Sequence, residues 1–139
     1  MNGWHLEYDI DVDEENGVVY EKIYGIFRPD TTLAYLRDFE EKVTPIIEKP
    51  WVELTDLLKW KTCHPECIRM IGDHLRWCRE HNMKWSVNII DNTVTYGQLK
   101  RMIAIGGTRS ISKMYRNHKD GALFLREQGF TVGEFLGGR

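Results

Sequence analysis

Segments with the two-residue period of a β-strand alternate with segments of helical period along most of this chain, and this order constrains the fold more than any other feature. Residues 4–12 place Trp4, Leu6 and Tyr8 on one side and acidic or polar residues on the other, which is typical of a half-buried strand. The same periodicity predicts strands at residues 4–12, 18–26, 51–58, 83–90 and 111–115, and helices at residues 31–47, 65–81, 93–106 and 122–127.

The connections between these segments decide how the strands pair. Asn16-Gly17 accepts the positive φ of a tight turn, so we expect the first two strands to form an antiparallel hairpin. Each later strand is reached through a helix, and such crossovers are right-handed and produce parallel pairing. The order ββαβαβαβα therefore predicts an α/β fold with a mixed, mostly parallel sheet of about five strands and helices packed on it.

The length and composition fit one folding unit. With 139 residues, of which 42% are hydrophobic and 29% charged, the chain can bury a core of its own. The sequence contains no repeat and no low-complexity linker. We expect a single domain over residues 1–130, followed by a glycine-rich tail over residues 131–139.

Apolar runs and cysteines indicate the cellular environment. No stretch approaches the roughly 20 apolar residues of a membrane span, and residues 1–5 do not resemble the start of a signal peptide. Three cysteines, an odd number, fit reduced thiols rather than a disulfide framework. We therefore expect a cytoplasmic protein without a membrane span.

Net charge limits the class of partner. The formal net charge of −2 argues against nucleic-acid binding. The charge is uneven, since residues 1–70 carry 8 Lys/Arg and 15 Asp/Glu (net −7) and residues 71–139 carry 11 and 6 (net +5). This distribution indicates either separate acidic and basic surfaces or solvated faces of mixed sign.

One stretch resembles a known family. Trp51-Val52-Glu53-Leu54-Thr55-Asp56-Leu57, followed by a short loop and a helix that begins near Pro65, resembles the third strand and next helix of the STAS domain, the anti-sigma-factor antagonist or SpoIIAA-like family. The order of elements resembles that family over most of the chain. The resemblance implies a SpoIIAA-like fold and a regulatory, protein-binding role. In outline the chain is also similar to the lipid-binding SEC14 fold, which implies a small apolar or acyl ligand between sheet and helices.

The regulatory serine of that family has no counterpart here. In phosphorylatable members a partner kinase modifies a serine or threonine at the start of the helix, directly after an acidic residue. The matching position falls near Pro65, preceded by His64, and proline has no hydroxyl group. Thr62 is the only hydroxyl nearby. The resemblance is therefore to a divergent, uncharacterised SpoIIAA-like branch without the serine switch.

Open α/β sheets tend to bind ligands beyond the carboxyl ends of their strands. In this chain the residues predicted to lie at that edge are Thr62, Cys63, His64, Asp91, Asn92, Thr93 and His118. Helix capping is the alternative role, and it would account for Asp91 or Thr93 while leaving His64 and His118 without a structural function. We interpret the cluster, rather than any one of its members, as a ligand-binding or partner-binding site.

Trp60 is a further candidate binding residue. It follows an apolar strand and lies between Lys59 and Lys61, so we expect its ring to be partly exposed. An exposed aromatic ring between two cations can anchor a protein partner, an anionic head group or a single-stranded base. The alternative is a ring folded back over the edge of the sheet.

The cysteines and histidines around the second long helix suggest zinc, but their spacing does not favour it. At ~1.5 Å of rise per residue, Cys67 and His74 lie roughly 10 Å apart along one helix, and Cys78 lies further still. Only a pair such as His74 and Cys78 could share an ion, and two ligands do not make a structural zinc site. The sequence therefore predicts buried cysteines, with no metal and no other cofactor.

Catalysis would require a nucleophile beside a base. Cys63 or Thr62 would need His64 as the base, with Asp56 or Asp91 to orient its imidazole. Adjacent residues at the start of a helix seldom point at each other. No Gly-x-Ser-x-Gly or Walker motif is present, so we do not expect an enzyme.

Three hypotheses about function follow. The first is a STAS-like regulatory module that binds a protein partner through the loop from Leu58 to His64 and the helix after it; a two-fold homodimer is also compatible with the sequence. The second is a carrier of a small apolar or acyl ligand, which requires a deep apolar cavity. The third is a thiol-based or hydrolytic enzyme centred on Cys63, which requires a lowered thiol pKa.

Overall fold

The structure of the chain, a computed structural model, describes residues 7–133. Its order is the predicted ββαβαβαβα, with two short 3₁₀ turns at Thr44–Ile46 and Arg109–Ile111. The strands are β1 (Tyr8–Asp13), β2 (Val18–Phe27), β3 (Trp51–Cys63), β4 (Met83–Ile89) and β5 (Ser112–Tyr115), and the helices are α1 (Pro29–Val43), α2 (Pro65–Glu80), α3 (Thr93–Gly106) and α4 (His118–Glu127). Trp4 and Leu6, predicted to begin the first strand, and residues 134–139 of the predicted tail lie outside the described residues.

The five strands form one sheet in the order in which they follow one another along the chain. β1 pairs with β2 in antiparallel fashion, and each of the pairs β2–β3, β3–β4 and β4–β5 is parallel. Gly17 adopts a φ of 67° in the turn between β1 and β2, a conformation that glycine reaches at little cost. The predicted mixed, mostly parallel sheet of an α/β fold is confirmed.

The helices cover the two faces of the sheet unequally. The side chains of α1, α2 and α3 share a core with Tyr8, Val19, Ile23 and Leu57 on one face. On the other face α4 packs against strand residues that include Leu54 and Val87. Within residues 7–133, no helix is both long enough and apolar enough to cross a lipid bilayer.

Two predicted boundaries are wrong in ways that affect the site. β3 continues from Leu58 to Cys63, so the segment predicted to be a loop is a strand paired with β2. The last helix begins at His118 instead of Ala122, because the side chain of Asn117 accepts a hydrogen bond from the backbone N–H of Asp120 and caps the helix.

Candidate functional site

The carboxyl edge of the sheet is stepped, because β3 is much longer than its neighbours on one side. Ile89 at the end of β4 and Tyr115 at the end of β5 lie level with Asp56 of β3. From there β3 runs on to Cys63 and pairs with β2 alone. The predicted site residues are therefore divided between the end of β3 and the ends of β4 and β5.

Gln98 connects the end of β3 to α3. Its side-chain amide donates a hydrogen bond to Thr62 Oγ1 at 3.0 Å, and its Oε1 lies 3.8 Å from Cys63 Sγ. Gln98 was not among the residues predicted from the sequence. The only signal for it is a polar residue one turn into an amphipathic helix, which does not distinguish a binding residue from a solvated one.

Helix capping explains much of the predicted cluster. Asn92 is the residue that caps α3, since its Oδ1 accepts hydrogen bonds from the N–H groups of Val94 and Thr95. Asp91 and Thr93, the residues expected to cap, are exposed. Together with Tyr96, Met114, Tyr115 and Arg116 these three residues line an open groove of about 390 Å³.

Both histidines of the cluster have structural roles, and the expectation that they lack one is wrong. His64 is the N-cap of α2, and its Nδ1 accepts a hydrogen bond of 3.1 Å from the N–H of Glu66. His118 Nε2 lies 2.9 Å from Oδ2 of the buried Asp56 and ties the start of α4 to β3. The side-chain partner of Cys63 Sγ is Oε1 of Gln98, at 3.8 Å.

Trp60 is buried, so the expectation of partial exposure is wrong. Its side chain is 5% exposed, and its indole N–H donates to the carbonyl oxygen of Thr62 at 3.0 Å. Two irregularities in the β2–β3 pairing, at Lys59 and at Thr62, each add one residue to β3. Bulges of this kind interrupt the alternation of faces. The first of them brings Trp60 onto the same face as Leu57, where both line a cavity.

The environment of Cys63 is the opposite of what a thiol catalyst requires. Burial and, to a smaller extent, the neighbouring Cys67 thiol raise the pKa of the Cys63 thiol to about 11, against a lowering effect of Arg101. A catalytic cysteine needs a lowered pKa, because the thiolate is the nucleophile. Elsewhere on α2, His74 Nε2 and Cys78 Sγ are 3.6 Å apart, and within residues 7–133 no three His, Cys, Asp or Glu side chains are arranged to hold a metal ion.

A cavity of about 60 Å³ lies between the sheet and helices α1, α2 and α3. Most of its wall is apolar. The polar side chains that line it are Glu53 and Thr55 of β3, Asn88 of β4, Tyr35 of α1 and His74 of α2.

Two buried glutamates form the polar side of this region. Glu21 of β2 and Glu53 are 1% and 3% exposed. Tyr35 and Thr55 each donate a hydroxyl hydrogen bond to Glu21, and Ser86 donates one to Glu53 at 2.5 Å. Burial, the charge of Glu53 and a hydrogen bond between the two carboxyl groups raise the pKa of Glu21 well above its ordinary value. Glu21 therefore keeps its proton to a higher pH than an exposed glutamate does.

Neither glutamate was predicted as a site residue, although the sequence contains one signal for both. Glu21 lies between Val19 and Ile23 with the two-residue period of the inward face, and Glu53 lies inside the apolar run of β3. An acidic residue at an inward position of a predicted strand is unusual, because a buried carboxylate needs a partner. What the sequence cannot supply is the pairing of β2 with β3 that places the two side by side.

The carboxylate pair predicts an unusual dependence of stability on pH. Above pH 4.5, the ordinary value for Glu21, the unfolded chain releases a proton that the folded chain retains. The contribution of Glu21 to the free energy of unfolding is thus complete below pH 4.5 and is lost as the pH rises through the higher folded-state pKa. In Glu21→Gln, which stays neutral, we expect this loss to be absent, as measured by urea denaturation from pH 4.5 to 8.

Glu66→Gln is the control for this prediction, because Glu66 is an exposed acid at the start of α2. Its stability profile should follow that of the wild type. Parallel profiles for Glu21→Gln and the wild type would show that Glu21 is ionised throughout this range and would contradict its raised pKa.

The exposed part of the carboxyl edge combines apolar and basic side chains. Leu58, Val94 and Tyr96 are 36%, 61% and 40% exposed, which is high for large apolar residues. Lys59 and Lys61 are exposed on the same part of β3 as Leu58. We call these five residues the carboxyl-edge surface.

Comparison with known proteins supports the fold. No protein-family model matches the sequence, and no curated protein matches it. Among solved structures, an uncharacterized DUF3478-family protein from Shewanella loihica PV-4 with a SpoIIAA-like fold is similar, with a TM-score of 0.59 and 16% identity over 85% of this chain and 91% of that chain. An anti-sigma factor antagonist from Mycobacterium paratuberculosis is similar with a TM-score of 0.58 and 14% identity, over 86% and 94%. The predicted SpoIIAA-like fold is confirmed.

Proposed function

We propose that this chain is a STAS-like regulatory module that binds a protein partner and performs no catalysis. The likeness of its fold to an anti-sigma factor antagonist supports a regulatory role. The burial of Cys63, which raises its thiol pKa, argues against the thiol enzyme that the sequence left open. All three cysteines, Cys63, Cys67 and Cys78, are unpaired and buried, which supports a reducing, cytoplasmic location.

The carboxyl-edge surface is the proposed binding surface, and its exposed apolar side chains are the observation that carries this proposal. Apolar and aromatic side chains supply most of the binding energy in protein interfaces, and charged residues at the rim act mainly on association rate. Here Leu58, Val94 and Tyr96 would form the apolar centre. Lys59 and Lys61 would form part of the rim.

The charge of this edge favours a partner with an acidic surface. Besides Lys59 and Lys61, the middle of α3 carries the exposed Lys100 and Arg101, and Arg116 lines the adjacent groove. Lys100, Arg101 and Arg116 belong to the basic half of the sequence, residues 71–139. Complementary charge would accelerate association and make it sensitive to salt.

The proposed module works without a phosphorylated serine. The start of α2 is formed by His64 as the N-cap and Pro65 as the first helical residue, and neither can be phosphorylated in the manner of a serine. Thr62 is only partly exposed, and its hydroxyl accepts a hydrogen bond from Gln98. We propose that binding is controlled by the abundance of the partner or by another signal.

A charge-reversal variant tests the binding surface. In Lys59→Glu/Lys61→Glu we expect the affinity for the native partner to fall by about tenfold at low salt and by less at high salt, because the charges act across the rim. The partner would be captured from the source cells on the wild-type chain, identified by mass spectrometry, purified, and titrated against both proteins at two salt concentrations.

Lys49→Glu/Lys84→Glu is the matched control, since both lysines are exposed at the opposite, amino end of the sheet and the change in net charge is the same. Its affinity should stay within twofold of the wild type. Equal losses in the two double variants would show that net charge alone matters and would reject the carboxyl-edge surface.

A small-ligand carrier is the second candidate function, and the cavity between the sheet and α1, α2 and α3 favours it. At about 60 Å³ it is smaller than the roughly 300–1,000 Å³ typical of sites for drug-sized ligands, so the space observed fits a small molecule and not a long acyl chain. Native mass spectrometry of protein from its own host tests this candidate. An added mass that disappears on denaturation supports it, and a bare chain rejects a tightly bound cargo.

A further inference from the structure

The hydrogen-bond donors of the polar side chains around the cavity are bonded to protein groups. The hydroxyls of Tyr35 and Thr55 donate to Glu21, and the hydroxyl of Ser86 donates to Glu53. The side-chain amide of Asn88 donates to the backbone carbonyl oxygens of Ser86 and Lys113, each at 3.4 Å. The donor hydrogens of these side chains are therefore taken up by protein acceptors and are not available to a ligand.

Hydrogen-bond acceptors remain available to a molecule in the cavity. Glu53, Asn88 and Thr55 line the cavity, and their carboxyl oxygens, amide Oδ1 and hydroxyl lone pair are able to accept hydrogen bonds. His74 adds one acceptor nitrogen and one N–H donor, since burial lowers its pKa to about 4 and keeps the imidazole neutral. The polar wall of the cavity is therefore rich in acceptors and poor in free donors.

This wall also carries a negative charge without a basic side chain opposite it. The charge of Glu53 is one cause of the raised pKa of Glu21, and both carboxyl groups are buried in an apolar interior. Among residues 7–133, no lysine or arginine lines the cavity. A buried charge of this kind is stabilised strongly by a cation that reaches it.

We propose that the cavity binds a small primary ammonium ion with a short apolar chain, with the ammonium group against Glu53, Thr55 and Asn88. A primary ammonium offers three donors and no acceptor, which matches the polar wall. The chain would contact apolar side chains such as Leu57, Leu99 and Met102 on the rest of the cavity wall. This inference rests on the second candidate function, because it names the ligand class for the same cavity.

The cavity volume fixes the size of the probe. At roughly 15 Å³ for each water-sized group, 60 Å³ accommodates about four non-hydrogen atoms. n-Propylammonium has that number and stays protonated up to a pH of about 10. n-Propanol has the same number of non-hydrogen atoms and no charge, so the pair separates the effect of the ammonium group from that of the chain.

Methyl NMR of the full chain, titrated with n-propylammonium or n-propanol, tests the proposal. We expect n-propylammonium to saturate shifts of the Leu57, Leu99 and Met102 methyl groups, and n-propanol to bind at least tenfold more weakly. In Glu53→Gln the affinity for n-propylammonium should fall at least tenfold, and in the exposed control Glu66→Gln it should stay within twofold.

A second measurement needs no variant and covers the case in which Glu53→Gln does not fold. The ammonium ion favours the ionised form of Glu21, whose pKa is raised, so binding favours loss of the Glu21 proton and the affinity of the wild type should rise from pH 5.5 to 8.5. Equal binding of n-propanol and n-propylammonium, or an affinity independent of pH, would reject an ammonium ion as the ligand. Neither result would reject the carrier function. If neither probe moves the cavity methyl groups, both the ligand class and the small-ligand carrier are rejected.

Discussion

Trp60→Ala should lower the free energy of unfolding by about 3–5 kcal/mol, the cost of removing a large aromatic side chain from a well-packed core. The side chain is 5% exposed, lines the cavity and donates an indole hydrogen bond to the carbonyl oxygen of Thr62. Truncation removes these contacts together, and the space left behind adds to the existing cavity. Urea denaturation with a common m-value would measure the loss.

Leu58→Ala is the control for Trp60, because Leu58 lies two residues earlier on the same strand and is 36% exposed. A surface truncation of this kind changes stability by about 0.5 kcal/mol. A difference of less than about 1 kcal/mol between the two variants would contradict the inward position of Trp60 and the bulge that produces it.

Gly106→Ala should lower the free energy of unfolding by about 1–3 kcal/mol or more, because α2 and α3 meet at this residue without room for a methyl group. A Cβ at Gly106 would lie 2.6 Å from the backbone oxygen of Gly72 and 3.0 Å from Leu75 Cβ. A backbone atom cannot rotate away, so the two helices would have to separate. Chemical denaturation measures the effect, and the loss should appear without a change in secondary structure.

Gly97→Ala provides a matched control in the same helix. A Cβ at Gly97 would meet nothing within 4 Å, so alanine adds helix propensity without strain. We expect a gain of about 0.5–1 kcal/mol. Two substitutions of identical chemistry should thus have opposite signs, and a gain for Gly106→Ala would show that the helices are not in contact there.

The contact between α2 and α3 also bears on the cavity that these helices cover. Arg76 and Arg79 of α2 donate to the carbonyl oxygens of Ile105 and Gly107 at the end of α3, the second at 2.6 Å. These bonds and the glycine contact fix one end of the helix pair. Separation of α2 from α3 to admit a longer ligand would therefore have to occur at the other end, where Gln98 bonds to Thr62.

The sequence by itself determined the order of elements, the hairpin and the parallel pairing, and so the fold. These features depend on local chemistry: alternation along β1, the Asn16-Gly17 turn, and the helical spacing of apolar residues in α1, α2 and α3. Each of these signals is contained within a short stretch of neighbouring residues. They survive at low sequence identity to the structures of the same fold, 16% and 14% here.

Tertiary structure alone decided which side chains form the site. Trp60 faces inward because β3 gains residues relative to β2, which is a property of the pairing and not of either strand. Glu53 raises the pKa of Glu21 because two strands distant in sequence lie side by side. His64 and Asn92 cap helices, and His118 contacts Asp56, because each lies where a helix begins. Local periodicity sets the face of a residue to a first approximation, and only the contacts between elements set its partners and its charge.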